Sequence, residues 1–198
     1  MVGKLGNHMK LNVPYYSQRT DVIDSEWHAH SCLVMCIKMV AEFLGVKVIS
    51  ADDWIKEGIY IGAWDGKFWK HNEIIRLFRN HGIFGYAQEF KTVDVDIKNG
   101  KMMTGKMNDI FLENGIKKIS DNLDKEIPTI VSIYKYFTEK KRHHGIVIIG
   151  YEKDKKNKLI GFYYHDPEIP NEKGGKNLFV ELNVFKKGWK RLAIFAEK

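Results

Sequence analysis

The chain has 198 residues, 44% of them hydrophobic, 29% charged and 13% aromatic, and 32 Lys and Arg against 25 Asp and Glu give a formal charge of +7. That length suits one domain that buries most of its apolar surface, and the composition excludes disorder, collagen and coiled coil. No apolar run approaches the roughly 20 residues of a membrane-spanning helix, so no membrane segment is expected.

The opening residues Met1 to His8 lack the apolar stretch of a secretory signal. The two cysteines, Cys32 and Cys36, lie one helical turn apart, too far for a disulfide. Both features point to a reduced, cytoplasmic protein. The surplus positive charge sits in loop-like clusters at Lys135 to Arg142, Lys153 to Lys158 and Lys186 to Arg191. No helix-turn-helix, zinc-finger or RNA-binding aromatic motif accompanies them, so a nucleic-acid partner is not expected.

In chain order, residues 1–10 read as an N-terminal extension and 11–198 as a single domain. Val13-Pro14-Tyr15-Tyr16-Ser17 opens it in extended form, because proline disfavours helix in the residue before it. Ser31 is placed to cap a helix from Cys32 to Leu44, closed by Gly45. Only Lys38 and Glu42 are polar within that helix, which predicts a buried central helix with a thin wet stripe. Further helices are predicted at Ala51 to Lys56, at Asn72 to Asn80 with Asn72 as cap and Gly82 beyond the end, and around Ile116 to Leu123. Strands follow at Thr129 to Tyr134, Gly145 to Tyr151, Leu159 to Tyr164, Leu178 to Leu182 and Leu192 to Phe195. Their short connections imply an antiparallel sheet, hence an α+β domain with a central helix packed on a curved sheet.

Thiol catalysis needs a thiolate, a histidine beside it, a group that orients the histidine, and donors for an oxyanion. Cys32 falls in the first turn of the central helix, where free N–H groups and the helix dipole favour a thiolate. Cys36 falls inside the apolar helix and reads as a small core residue. His144 opens one predicted strand and Asp166 closes the next, so a hairpin sets them side by side in the manner of a nucleophile, base and orienter triad. His143 and His144 point to opposite faces of their strand, and alternation alone does not choose between them.

The ordered set Leu11-Asn12-Val13-Pro14-Tyr15-Tyr16-Ser17-Gln18, Trp27, Cys32 with Met39, Val40 and Gly45, His144 with Gly150-Tyr151, Asp166-Pro167, and Phe185 with Trp189 spans nearly the whole chain. It resembles the papain-like cysteine peptidases of the bacteriocin-processing type, the double-glycine leader peptidase-like group also called cysteine-peptidase family thirty-nine. The resemblance implies a papain-like fold, Cys32 as nucleophile, His144 as general base and then acid, and Asp166 as orienter. It also implies Gln18 as the oxyanion donor beside the Cys32 backbone N–H, a peptide or protein substrate, and no metal or organic cofactor. One departure stands out: that group usually has Gly and then Pro after the cysteine, where this chain has Leu33 and Val34.

Two other readings use the same residues: a catalytically silent binding module for an acidic partner, and a thiol acyltransferase. A zinc site at His28-Ala29-His30-Ser31-Cys32 would need an extended chain where a helix is predicted to begin. His28 and His30 are instead expected in a loop near the cleft, and Trp27, Trp54, Trp64 and Trp69 in the core or cleft wall, a substrate groove at Trp64 to Trp69 being the alternative. Gly174-Gly175 reads as a turn and not as a self-cleavage site. No transporter segment is attached, so a leader-processing role coupled to export is not expected.

Overall fold

The computed structural model describes residues 8–91, 94–96, 101–103 and 106–197. Strand β1 (His8–Lys10) leads through a loop to helix α1 (Cys32–Phe43), then α2 (Ala51–Tyr60), α3 (His71–Ile74) and α4 (Arg76–Asn80). Strand β2 (Phe84–Glu89), the small hairpin β3 (Asp94–Asp96) and β4 (Lys101–Met103), and the long helix α5 (Lys106–Asp124) follow. The rest is mostly sheet: β5 (Thr129–Lys135), β6 (Glu139–Lys153), β7 (Leu159–His165), α6 (Glu172–Gly175), β8 (Leu178–Glu181), α7 (Leu182–Gly188) and β9 (Trp189–Glu197). The strands pair antiparallel in the order β2-β9-β5-β6-β7-β8, and β1 adds to β6 with Met9 opposite Tyr151. Residues 8–10, assigned by the sequence to an extension, thus hydrogen-bond to the sheet.

Strand β6 explains why its sequence reads as an unbroken apolar run. Val147 and Ile149 join the core beneath α1, whereas Ile146 and Ile148 join a second core on the opposite face. A strand covered on both faces loses the apolar and polar alternation of a half-exposed one. Ile130 and Val131 of β5 divide between the two cores in the same way. Helix α1 therefore packs on one face of the antiparallel sheet, with α5 and α7 on the other, as the α+β reading expects.

Several expectations need correction. The Ser31 side chain makes no capping bond to α1; its hydroxyl donates to the Trp27 carbonyl instead. Lys38 and Glu42 form no wet stripe: both are buried and paired with each other, Lys38 also donates to the Ile49 carbonyl at 2.7 Å, and the Tyr16 hydroxyl donates to Glu42 at 2.6 Å. The predicted helix from Asn72 to Asn80 is two short helices, and Lys70, not Asn72, precedes the first. Helix α5 runs well beyond 116–123. Strand β2 went unread because Gly85 and the half-buried residues after it give little alternation; that glycine is required, since a Cβ there would lie 2.7 Å from the Phe78 ring.

Candidate active site

Helix α1 begins at Cys32, and its first turn faces β6 at His144 and Gly145. Val34 is fully buried and Leu33 nearly so, with Leu33 also forming part of the cleft floor. The two branched residues after Cys32 are therefore absorbed by the core, leaving the thiol partly exposed.

His144 sits within β6 and does not open it, while Asp166 comes directly after β7. Val147 pairs with His165, so the end of β7 delivers Asp166 beside the stretch of β6 that carries His144. His144 Nε2 lies 2.6 Å from Asp166 Oδ1, and both side chains are buried. An ionised carboxylate only accepts, so Nε2 carries the proton and donates, leaving Nδ1 to face Cys32. His143, which alternation left open as a rival, is exposed on the cleft rim. Asp166 Oδ1 also accepts from the Glu168 backbone N–H at 2.9 Å, and the Tyr15 hydroxyl donates to the Asp166 carbonyl at 3.0 Å. The carboxylate is thus held by His144 and the Glu168 N–H, and the Asp166 backbone by Tyr15.

The charge balance follows from these contacts. Burial alone would raise the Cys32 pKa, but the neighbouring His144 imidazole and the backbone N–H groups of Gly145 and Leu33 outweigh it and hold the thiol below its ordinary value. Burial would likewise lower His144, yet the hydrogen bond to Asp166 and the neighbouring Cys32 carry it up to about 10. A thiol held down beside an imidazole held up favours the thiolate–imidazolium form of the pair. Cys36, one turn along, is wholly buried, and burial followed by the charge of Cys32 pushes its thiol well up.

Gln18 is buried, and its Nε2 donates to the His28 carbonyl at 2.6 Å and to Glu168 Oε2 at 2.9 Å. Its Oε1 is buried without a partner. Flipping the amide would set that oxygen against two acceptors, so the nitrogen end stays where it is. The other Glu168 oxygen accepts from Lys135 at 2.7 Å and from Arg19. Glu168 was not singled out from sequence, although it stands two residues after Asp166 across a proline that fixes the chain against Gln18. Pro167 accepts there from the Gln18 backbone N–H at 2.8 Å.

These groups open onto a cleft of about 570 Å³. One wall is aromatic: Trp64 and Trp69 pack together at 5.0 Å, with Trp27 and His30 against Trp64, so Trp64 and Trp69 stand as cleft wall. His30 thus lines the cleft, while His28 Nε2 contacts the Val22 carbonyl at 2.9 Å. Among the described residues no His, Cys, Asp or Glu cluster has the arrangement of a metal site. Gly174 and Gly175 lie in α6, where a Cβ on Gly175 would meet the Tyr15 hydroxyl at 2.0 Å, so that glycine serves close packing. Among the described residues no helix is long and apolar enough to cross a membrane.

A central helix that presents a thiol at its first turn to an antiparallel sheet bearing a histidine and an aspartate is the papain-like architecture. The chain belongs to the Peptidase_C39 like family, a family of cysteine peptidases, whose sequence profile matches residues 10–194. Its fold is similar to that of a Bacillus anthracis protein described as a C39-like peptidase, with a TM-score of 0.60 and 15% identity over 97% of this chain and 98% of that one. The peptidase domain of Streptococcus ComA, a bifunctional ABC transporter, gives a TM-score of 0.54 at 15% identity over 89% and 95% of the two chains. A double-glycine motif protease from an AMS/PCAT transporter, solved with its leader peptide, gives 0.51 at 11% identity over 96% and 95%. Comparison with curated proteins by sequence finds no match.

Proposed function

We propose that this protein hydrolyses a peptide or related amide bond, with Cys32 as nucleophile, His144 as acid and base, Asp166 as orienter of His144, and Gln18 with the Cys32 backbone N–H as oxyanion donors. The observation that carries the reading is the 2.6 Å bond from His144 Nε2 to Asp166, which leaves the other ring nitrogen to a thiol held below its ordinary pKa.

The Cys32 thiolate attacks the carbonyl carbon, and the C=O electron pair moves onto oxygen. The Cys32 N–H belongs to the first helical turn, where no intrahelical acceptor is available, and it donates to that oxygen. The Gln18 N–H now on Glu168 turns to it as well. Collapse breaks the C–N bond as the His144 imidazolium protonates the leaving amine, giving a thioester on Cys32. Neutral His144 then takes a proton from water, the resulting hydroxide displaces the thiolate, and the acid product leaves. Asp166 keeps Nε2 protonated throughout, so Nδ1 alone exchanges protons with the reacting groups.

Incubation with a diverse peptide library, read by mass spectrometry, should yield new peptide termini and a transient acyl adduct on Cys32. Cleavage that persists in Cys32→Ala would contradict the assignment.

A further inference from the structure

We propose that the cleft is built for an acidic substrate: a peptide that bears carboxylates beside the bond presented to Cys32. This rests on the reading of Cys32 as the reactive thiol and adds the chemistry of what reaches it.

Among the described residues that line the cleft, the lysines and arginines are Lys67, Lys135 and Arg142, and the carboxylates come down to Glu168 alone. That carboxylate is already spent. Lys135 and Arg19 hold one of its oxygens and Gln18 the other, so it offers little to a cationic substrate, and the Arg19, Lys135 and Glu168 group sums to +1. Lys67, on the aromatic wall, lies over the exposed Phe68 ring at 5.2 Å from its centre. Arg142 reaches Glu139 only at 3.5 Å between two exposed groups, a kind of pair with almost no hold on either side chain. Both cations are therefore available to an anion entering the cleft.

Two of the histidines lining the cleft are shifted downward. Burial first, and then the nearby Lys190 ammonium, hold both His71 and His143 below the ordinary imidazole value; Glu89 opposes this at His71 without reversing it. Apolar walls limit screening and focus the field of the cations into the cleft. The basic run Lys135 to Arg142 thus turns toward the cleft at both ends, whereas Lys153 to Lys158 contributes no lining residue. The overall charge of +7 acts in the same direction at longer range.

Two experiments test the proposal without knowledge of the natural substrate. The first compares alkylation of Cys32 by iodoacetate and by the neutral iodoacetamide at neutral pH and low salt, with the adduct located by mass spectrometry. Relative to Lys67→Glu/Arg142→Glu, the unmodified protein should show an iodoacetate-to-iodoacetamide ratio about tenfold higher, an advantage that shrinks in high salt, with the iodoacetamide rate unchanged. The second measures binding of two fluorescent peptides, identical except for Glu or Lys at the charged positions, to Cys32→Ala. The Glu peptide should bind about tenfold more tightly and lose that margin in the double charge variant. Equal ratios and equal affinities would overturn the proposal, even with a fast iodoacetamide reaction at Cys32. A Cys32 that iodoacetamide modifies no faster than an ordinary thiol would instead overturn the reading of the site.

Discussion

Helix α1 carries two buried polar clusters, and they are built on opposite plans. Near its C-terminal end Lys38, Glu42 and Tyr16 close on one another, with the Lys38 ammonium also over the Tyr16 ring at 3.9 Å. At its N-terminal end Cys32, His144, Asp166 and Gln18 meet at the wall of a cleft, the thiol partly exposed and Gln18 Oε1 unpartnered. The closed cluster spends its charges on itself and fixes how α1 sits on its surroundings. The open one, on the proposed reading, keeps a thiol, an imidazole and an amide at the cleft for use on a substrate.

Substitutions should separate the two plans. The largest effect is expected from Cys32→Ala, which should lower hydrolysis by about 10⁶-fold, as loss of a nucleophile does, while Cys36→Ala stays close to the parent rate. Comparable rates for the two variants would erase the difference between the two thiols. Lys38→Met should leave the Glu42 carboxylate buried against no cation and cost about 3–5 kcal/mol in urea unfolding. If the closed cluster is structural only, the folded Lys38→Met protein keeps its rate of Cys32 alkylation; a slowed alkylation would join the clusters that are here held apart. Gln18→Ala should lower kcat by about 10²–10³-fold. It should not change alkylation by iodoacetamide, a displacement that builds no oxyanion, and slower alkylation would point to a role in holding Cys32 itself.

Much of this was readable from residue order. The apolar helix after Ser31, the run Gly145 to Gly150 and the strands that follow specify a helix on an antiparallel sheet, and the sheet register then brings Asp166 to His144. The choice between His143 and His144 was beyond alternation, because it depends on where β7 stops and Asp166 turns in. Lys38 and Glu42 looked solvated because i, i+4 spacing cannot reveal that Tyr16 and the Ile49 carbonyl cover them. Glu168 carried no signal of its own, since its role appears only when three residues distant in sequence, Gln18, Arg19 and Lys135, meet on it. Helix α7 was missed for a related reason: Leu182 to Gly188 is short, and Phe185 packs from it onto Phe162 and Trp189 instead of showing a helical repeat.

The central claim is that Cys32 and His144 share a proton under the hold of Asp166. The rate of Cys32 alkylation by iodoacetamide, followed by mass spectrometry across pH, tests it most directly. The reaction should already be fast below the ordinary thiol range, because the thiolate is stabilised, and should change again near pH 10 as the His144 imidazolium is lost. In His144→Ala the profile should collapse to a single step at or above the ordinary thiol range, because burial then acts unopposed by the imidazolium. A parent protein whose Cys32 titrates as a single ordinary thiol, with no change on removing His144, would contradict the account.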